Sequence, residues 1–391
     1  MRTKVKLKGG ISLIVLVITI IVMIILAAAI ILSLSNSGII SKANKAKTDS
    51  DTANLKEYVN ILRAEWELMT AEEQASAGSF VDYANSKLAE KGYKRELAAD
   101  GETVMNENAT AAVKAGIKVG DVVTGYTLDV ATYTTDGSEN TCDQNSNTET
   151  NPQPQTVTTN TDITWKYLGV NANGELEIMA DLSTTTVAEA NTKVTLSGKG
   201  GYLKGPEMLN TICEKLYSKD GVGTARSMNI DDVNNILGYT GPKGAYYDTN
   251  GNTVTTAEPL KIGDIENKLG TTLSKRITPD GKDIGSYYSD YYNIIKTSEN
   301  ITNSDDKTKS LVYNAKNTYW LASPCVYAFF DGSLARFGVR CVVSSTVYAY
   351  LMFFSRGNSI YDSYAVRPIV TLNSNVTLTK DTTAENTWKI N

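Results

Sequence analysis

The sequence predicts an α+β protein in which a long, apolar N-terminal helix precedes a mixed α/β head with an irregular, loop-rich periphery. Three observations predict this class. An uncharged apolar run occupies residues 11–34. Apolar side chains then recur at helical spacing through residues 55–69. From residue 112 to residue 391, short alternating segments, turn signals and short helical segments follow one another, as is typical of an α+β domain.

The composition excludes several functional classes. None of the 391 residues is a histidine, so the commonest general base and metal ligand are missing, and Ser-His-Asp and Cys-His mechanisms are excluded. The net charge is −5 and no basic block lies beyond the extreme N-terminus, which argues against a nucleic-acid partner. The four cysteines show no CxxC spacing. We therefore predict no metal, no cofactor and no enzymatic activity.

The N-terminal run is long enough to span a bilayer. Its 24 uncharged residues, 11–34, rise about 1.5 Å each, which covers the hydrocarbon core. Residues 1–10 form a short leader with four basic residues and no acidic one, which predicts a cytoplasmic N-terminus and an extracytoplasmic bulk. A cleaved secretory signal is the alternative, but its apolar region should hold only about 7–15 residues. We expect residues 11–34 to anchor the chain in a bacterial cytoplasmic membrane.

The junction between leader and apolar run carries a family resemblance. Gly9-Gly10 is followed directly by Ile11 and the apolar helix. This arrangement resembles the N-terminus of type IV prepilins and pseudopilins. The resemblance implies that a prepilin peptidase cleaves between Gly10 and Ile11, and that the helix packs with other pilin-like subunits. The family usually has a glutamate five residues into the mature chain, and this sequence departs from it with Val15.

Residues 35–95 are predicted to form an extracytoplasmic helical stalk. The apolar stripe of residues 55–69 lies on one helical face, and we expect it to cover the core of the head. A second helix is predicted from Thr70, where Thr-Ala-Glu-Glu supplies a capping box, to Gly92.

The head, residues 112–391, contains ordered and low-complexity parts. Residues 132–161 consist mainly of Thr, Asn, Ser, Asp, Gln and Pro, which bury too little apolar area to offset their ordering entropy, so a disordered loop is predicted. Residues 163–170 and 174–179 alternate around an Asn-Gly turn and predict a hairpin. Two short helices are predicted at 206–217 and 229–237.

The C-terminal part has an unusual composition. Residues 321–379 contain no Lys, Glu, Gln or Trp but hold five of the six phenylalanines. Surface strands ordinarily use Lys and Glu to stay soluble, so this segment is either core or a recognition surface. Tyrosine, arginine, serine, glycine and asparagine among aromatics are typical of a binding surface. Core strands with polar turns remain the alternative.

A second resemblance rests on the residues that frame this segment. Tyr-Trp-Leu-Ala-Ser at 319–323 and Ala-Val-Arg-Pro-Ile-Val-Thr-Leu at 365–372 resemble the C-terminal region of retroelement-diversified variable proteins, which have a C-type-lectin-like fold related to the formylglycine-generating-enzyme fold. In that family, randomised adenines in asparagine codons never produce Lys, Glu, Gln, Trp or Met, in agreement with the deficit. The resemblance implies a variable segment at 321–372. The candidate ligand-binding face comprises Tyr327, Phe329, Phe330, Asp331, Arg336, Tyr348, Tyr350, Phe354, Arg356, Tyr361, Asp362 and Tyr364.

Scaffold positions follow from the same argument. A residue that is free to vary cannot be one on which the core depends. Cys213, on the apolar face of a predicted helix, and Cys325 both look like scaffold positions, so we pair them in a disulfide; a buried, reduced Cys213 is the alternative. Cys142, in the predicted loop, and Cys341 are expected to be free. We expect burial beneath the face for Phe337, Val339, Val347, Met352, Val366 and Ile369.

Together these features predict a surface-displayed, membrane-anchored or pilus-associated, adhesin-like protein that binds a protein or glycan ligand. A structural minor pilin or pseudopilin without a variable ligand site is the first alternative. An enzyme of the formylglycine-generating type is the second. That chemistry relies on closely spaced cysteines, whereas Cys325 and Cys341 lie 16 positions apart.

Overall fold

The structure is a computed structural model. It describes residues 39–182, 192–240, 245–247, 287–289, 301–303, 305–328, 335–354 and 359–391. In this part of the chain the helices are α1 (Ile39–Leu68), α2 (Ala71–Ala77), α3 (Phe80–Glu90), α4 (Glu107–Lys114), α5 (Gly198–Tyr217), α6 (Ile230–Leu237) and α7 (Asp306–Val312). The strands are β1 (Val122–Thr124), β2 (Thr132–Thr134), β3 (Thr156–Thr158), β4 (Thr164–Val170), β5 (Leu176–Asp181), β6 (Lys193–Ser197), β7 (Gly223–Ser227), β8 (Ala245–Tyr247), β9 (Tyr287–Ser289), β10 (Asn314–Ala328), β11 (Ala335–Ser344), β12 (Thr346–Phe354), β13 (Tyr361–Ala365), β14 (Pro368–Leu372), β15 (Leu378–Lys380) and β16 (Thr387–Ile390).

The predicted fold class is corrected by this architecture. The described chain is mixed α/β, and none of its helices is long and apolar enough to cross a membrane. The longest, α1, carries lysines, aspartates and glutamates along its length and is apolar on one stripe only, so a bilayer would have to accept charged groups. The long transmembrane or pilin-like helix before a C-type-lectin-like head is therefore not what the structure describes. The predicted span, 11–34, and the Gly10–Ile11 cleavage site lie outside the described residues.

The N-terminal helices form a hydrophobic cluster of their own. Leu55, Val59 and Leu62 of α1 pack with Leu88 of α3 and with the segment 97–104. The expectation that this stripe covers the core of the head is therefore wrong, because the helices that follow α1 cover it instead. The capping box at Thr70 is confirmed.

The helix predicted from Thr70 to Gly92 is interrupted. Gly78 takes a positive φ of 87°, and Ser79 then caps a new helix, α3, with a second capping box formed by Asp82. The chain therefore turns between α2 and α3, which lets α3 pack against α1.

Two sheets build the head. The larger has seven strands in the order β15-β16-β1-β4-β5-β14-β7, and the smaller has the order β12-β11-β10-β13-β6. The predicted hairpin of β4 and β5 is confirmed, with antiparallel register from Thr164–Asp181 to Val170–Leu176. Its turn needs Gly174, because a Cβ there would lie 1.9 Å from the carbonyl oxygen of Val104 and φ is +79°. The helices predicted at 206–217 and 229–237 are present as α5, which begins earlier, and α6.

The predicted disorder of residues 132–161 is wrong. Strands β2 and β3 pair within this segment, and the residues between them bind the start of α5. The Glu149 carboxylate accepts from the backbone N–H of Lys199 at 2.7 Å, and the Thr141 hydroxyl accepts from the N–H of Gly200 at 2.9 Å. The first N–H groups of a helix lack intrahelical partners, so polar loop residues are held by satisfying them. Amino-acid composition indicates how much apolar area a segment can bury, but it does not reveal hydrogen bonds of this kind.

The predicted disulfide is also corrected. All four cysteines are buried, and none of them forms a disulfide bond. Cys213 lies on the inner face of α5, where its thiol is hydrogen-bonded to the Ser227 side chain of β7. Cys325 lies on β10, opposite Gly338 of β11. The two thiols therefore lie at different places, one between α5 and β7 and the other between β10 and β11. The alternative prediction, a buried and reduced Cys213, is confirmed. Cys142, expected in a mobile loop, is only 3% exposed.

Candidate functional site

The two framing motifs meet in the structure. Tyr319 of β10 pairs with Ala365 of β13 in parallel register. The Arg367 guanidinium donates to the Tyr319 hydroxyl at 2.9 Å, and the Trp320 indole N–H donates to the carbonyl oxygen of Val194 at 2.8 Å. Both hydrogen bonds are buried, so the frame is a rigid base for the residues between its two halves.

Aromatic side chains from two strands converge on Trp320. The ring of Trp320, which is fully buried, lies 4.5 Å from the ring of Tyr364 on β13 and 5.8 Å from the ring of Tyr350 on β12. The rings of Tyr350 and Tyr364 lie 5.6 Å apart, nearly perpendicular at 87°. Edge-to-face packing of this kind is favourable and fixes ring orientation. Both tyrosines are half-buried, and they cover the buried indole of Trp320.

Asp362 holds the hydroxyl ends of these tyrosines. Its carboxylate accepts hydrogen bonds from the hydroxyls of Tyr364 and Tyr350, and from the backbone N–H of Ser363 at 2.7 Å. Burial raises the pKa of both phenols, and the hydrogen bonds and negative charge of Asp362 raise it further. Both phenols therefore stay protonated at any physiological pH and keep donating to the carboxylate, which immobilises the two rings.

The side chains of β12 alternate between a buried side and a more exposed side of the strand over residues 347–350. Val347 and Ala349 are buried, whereas Tyr348 between them is 43% exposed and Tyr350 is half-buried. Tyr348 therefore lies on the same side of the strand as Tyr350. We call the group Tyr348, Tyr350, Asp362 and Tyr364 the aromatic face.

The twelve candidate binding residues have different outcomes. The Arg336 guanidinium lies 5.7 Å from the ring centre of Phe354, the residue opposite it on β12. Tyr361 is half-buried one position before Asp362. None of the candidates with a described side chain is fully buried. The side chains of Tyr327, Phe329, Phe330, Asp331 and Arg356 lie outside the described part of the structure.

The six positions expected beneath the face are all buried. Phe337, for example, is fully buried with its ring 5.1 Å from that of Tyr202 on α5. What sequence reasoning missed is the role of Trp320 as the floor under two tyrosines. Residues 320, 350 and 364 are far apart in the chain, so no local pattern joins them. The six are Phe337, Val339, Val347, Met352, Val366 and Ile369.

No family model, curated protein or solved structure matches this chain. Among the described residues, no group of three or more acidic or cysteine side chains is arranged to hold a metal ion. The chemistry that the aromatic face itself offers is therefore ring surface, one carboxylate and two oriented phenol oxygens.

Proposed function

We propose that this protein is a non-enzymatic, ligand-binding protein and that the aromatic face is its contact surface. The observation that carries the proposal is the partly exposed layer of Tyr348, Tyr350 and Tyr364, in which Trp320 and Asp362 fix the orientation of Tyr350 and Tyr364. Rings that are already immobilised lose little entropy on binding, which is how tyrosine-rich contact surfaces gain affinity.

The division between face and scaffold supports an exchangeable surface. Six positions expected to be constant are buried, while the described candidates for variation are half-buried or exposed. A substitution at an exposed ring leaves the core intact, so the face can change while the fold is retained. We therefore extend the proposal to a retroelement-diversified, adhesin-like protein that is exported to the bacterial cell surface and binds a protein or glycan ligand.

Two alternatives make different demands. A structural minor pilin needs no exchangeable face, and near-identity of residues 327–364 among sibling strains would favour it. An enzyme acting through a cysteine needs an accessible thiolate. Burial raises the pKa of Cys341, and it raises the pKa of Cys142 to about 11, which disfavours the thiolate at both positions.

The experiment is a binding screen with matched variants. The full-length chain is screened on glycan and protein arrays, and every hit is measured again with Tyr348→Ser and Asp362→Asn. Tyr93→Ser is the control, because Tyr93 is 45% exposed, nearly as much as Tyr348, but lies just after α3, among the N-terminal helices. Truncating an aromatic contact residue typically costs about 1–2 kcal/mol or more of binding free energy, so we expect affinity to fall at least about fivefold in both face variants and to stay unchanged in the control. Hits that bind both face variants as tightly as the unmodified chain would refute the proposal.

A further inference from the structure

A cleft on the larger sheet shares no residue with the aromatic face. It is a cleft of about 380 Å³ between strands β4, β5 and β7 and the helices α6 and α7. This volume falls within the usual range for small-molecule sites, about 300–1,000 Å³. Apolar side chains, Leu168, Val170 and Ile236, and polar ones, among them Asn235 and Asn303, both line it.

The cleft is lined in part by Gly169, which lies at an irregularity of β4. The register of β4 with β5 shifts between Tyr167 and Gly169, and Gly169 has a φ of +143°. A Cβ built on Gly169 would meet no atom within 4 Å. A glycine inside a strand often marks a bulge or a site of close approach, and here it leaves the wall open.

Three charged side chains of the lining, Arg226, Asp232 and Glu177, contact one another, and we call them the charged floor of the cleft. The Arg226 guanidinium donates to both carboxylate oxygens of Asp232, at 2.7 and 2.8 Å, in a two-pronged contact. The same guanidinium reaches the two oxygens of Glu177 at only 3.3 and 3.4 Å. Glu177 is 6% exposed, and its remaining contact is with the Thr371 hydroxyl at 3.0 Å. Burial lowers the pKa of Arg226, but the hydrogen bonds and charges of Asp232 and Glu177 more than offset this and raise it. Arg226 therefore stays charged.

This arrangement is not explained by stability alone. Buried ion pairs are often replaceable by apolar side chains without loss of stability, because desolvation offsets their attraction. Two carboxylates face one guanidinium, so these three side chains together carry a net charge of −1. Glu177 lines the cleft, and its Oε2 has one described hydrogen bond, the 3.4 Å contact with Arg226, so this oxygen can accept from a second donor. Lys56 donates to the carbonyl oxygen of Ala172, a residue of the lining, at 3.2 Å, so its described hydrogen bond is with a backbone oxygen rather than with a carboxylate of the cleft.

We propose that this cleft binds a primary ammonium group carried on a short aliphatic chain. The ammonium donates to Glu177, and the methylene groups lie against Leu168, Val170 and Ile236. The same chemistry is offered by a free alkylamine and by a lysine side chain. The site is independent of the aromatic face, and its ligand need not be the one bound there.

Calorimetric titration of the full 391-residue chain tests this proposal. The probe is n-butylamine, which is protonated at neutral pH, and its neutral isostere butan-1-ol is the matched control. A hydrogen bond to a charged group contributes more binding free energy than a neutral one, and the difference corresponds to about tenfold in affinity. We therefore expect butylamine to bind about tenfold more tightly than butanol. Glu177→Gln keeps the side-chain shape and removes the charge, and we expect it to abolish this preference.

Two further arms keep the result decisive. Ala172→Trp adds a large side chain at an exposed residue of the lining and leaves the charged floor unchanged, and we expect it to weaken butylamine binding with little change in melting temperature. Nα-acetyl-lysine methylamide tests the source, since tighter binding of this probe than of butylamine assigns the site to a lysine of a partner protein. Equal binding of butylamine and butanol, absence of saturable butylamine binding, or butylamine binding that neither variant weakens would overturn the proposal.

Discussion

If the aromatic face is exchangeable and the layer beneath it is not, the two layers must differ sharply in their contribution to stability. The perturbation compares Phe337→Ala with Tyr348→Ser, on the neighbouring strands β11 and β12. Phe337 is fully buried, and its ring lies 5.1 Å from that of Tyr202 and 6.1 Å from that of Phe353. Removing such a ring costs about 3–5 kcal/mol through lost burial and the cavity left behind.

Tyr348 should behave differently. Its side chain is 43% exposed, and the residue opposite it on β11 is Cys341. A cross-strand pair contributes at most about 1 kcal/mol, and surface changes usually stay within about 0.5 kcal/mol. We therefore expect Tyr348→Ser to change the free energy of unfolding by about 1 kcal/mol or less.

Urea unfolding and thermal unfolding of the two variants measure this difference. For a domain of this size about 1 kcal/mol corresponds to roughly 2–4 °C, so Phe337→Ala should lower the melting temperature by roughly 6–20 °C and Tyr348→Ser by no more than about 4 °C. Similar losses in the two variants would mean that Tyr348 is an ordinary structural residue, and the separation of face from scaffold would fail.

Two other predictions concern the parts of the fold that sequence reasoning misjudged. Glu149→Ala removes the acceptor of the Lys199 N–H and should lower the free energy of unfolding in urea by about 1–2 kcal/mol. Glu149→Gln should lower it less. An unchanged urea midpoint in Glu149→Ala would show that the loop does not hold α5. The thiols should resist iodoacetamide at pH 8 in the native chain and react in urea. Because the pKa of Cys142 rises from 9.0 to about 11 on folding, the unfolded chain releases this proton first, so stability should fall as pH rises from about 9 to 11, and Cys142→Ala should reduce that slope.

Local patterns predicted local structure well. The hairpin of β4 and β5, the capping box at Thr70 and the helices around residues 206–217 and 229–237 are all present, because alternation, capping and helical spacing act over a few residues. The interruption of the helix predicted from Thr70 to Gly92 is a local failure, because Gly78 has a positive φ and a second capping box at Ser79 starts a new helix. The other failures involve distant partners. Glu149 and Thr141 became ordered by binding α5, about 50 residues away, and Cys213 packs against Ser227 rather than Cys325.

The candidate site shows the same limit. The composition of the segment singled out Tyr350, Asp362 and Tyr364, but only the strand order places β12 and β13 on either side of β11 and β10, so that their rings meet over Trp320. The charged floor of the cleft brings together Glu177, Arg226 and Asp232 from β5, β7 and α6, and nothing in the spacing of these residues predicts it.

The members of the aromatic face differ in how much they contact one another and Trp320, and this difference limits which of them can be substituted without changing the rest of the face. Tyr350 and Tyr364 shield Trp320, so replacing either with a small residue exposes an indole whose N–H bonds the backbone of β6. Asp362 orients both hydroxyls, so its loss frees two rings at once. Tyr348, by contrast, covers no described aromatic ring and is the most exposed member. Substitution at Tyr348 should therefore alter what the face contacts, whereas substitution at the other three should also alter how rigidly the face is presented. Rigidity bears on affinity because a preordered surface loses less entropy on binding.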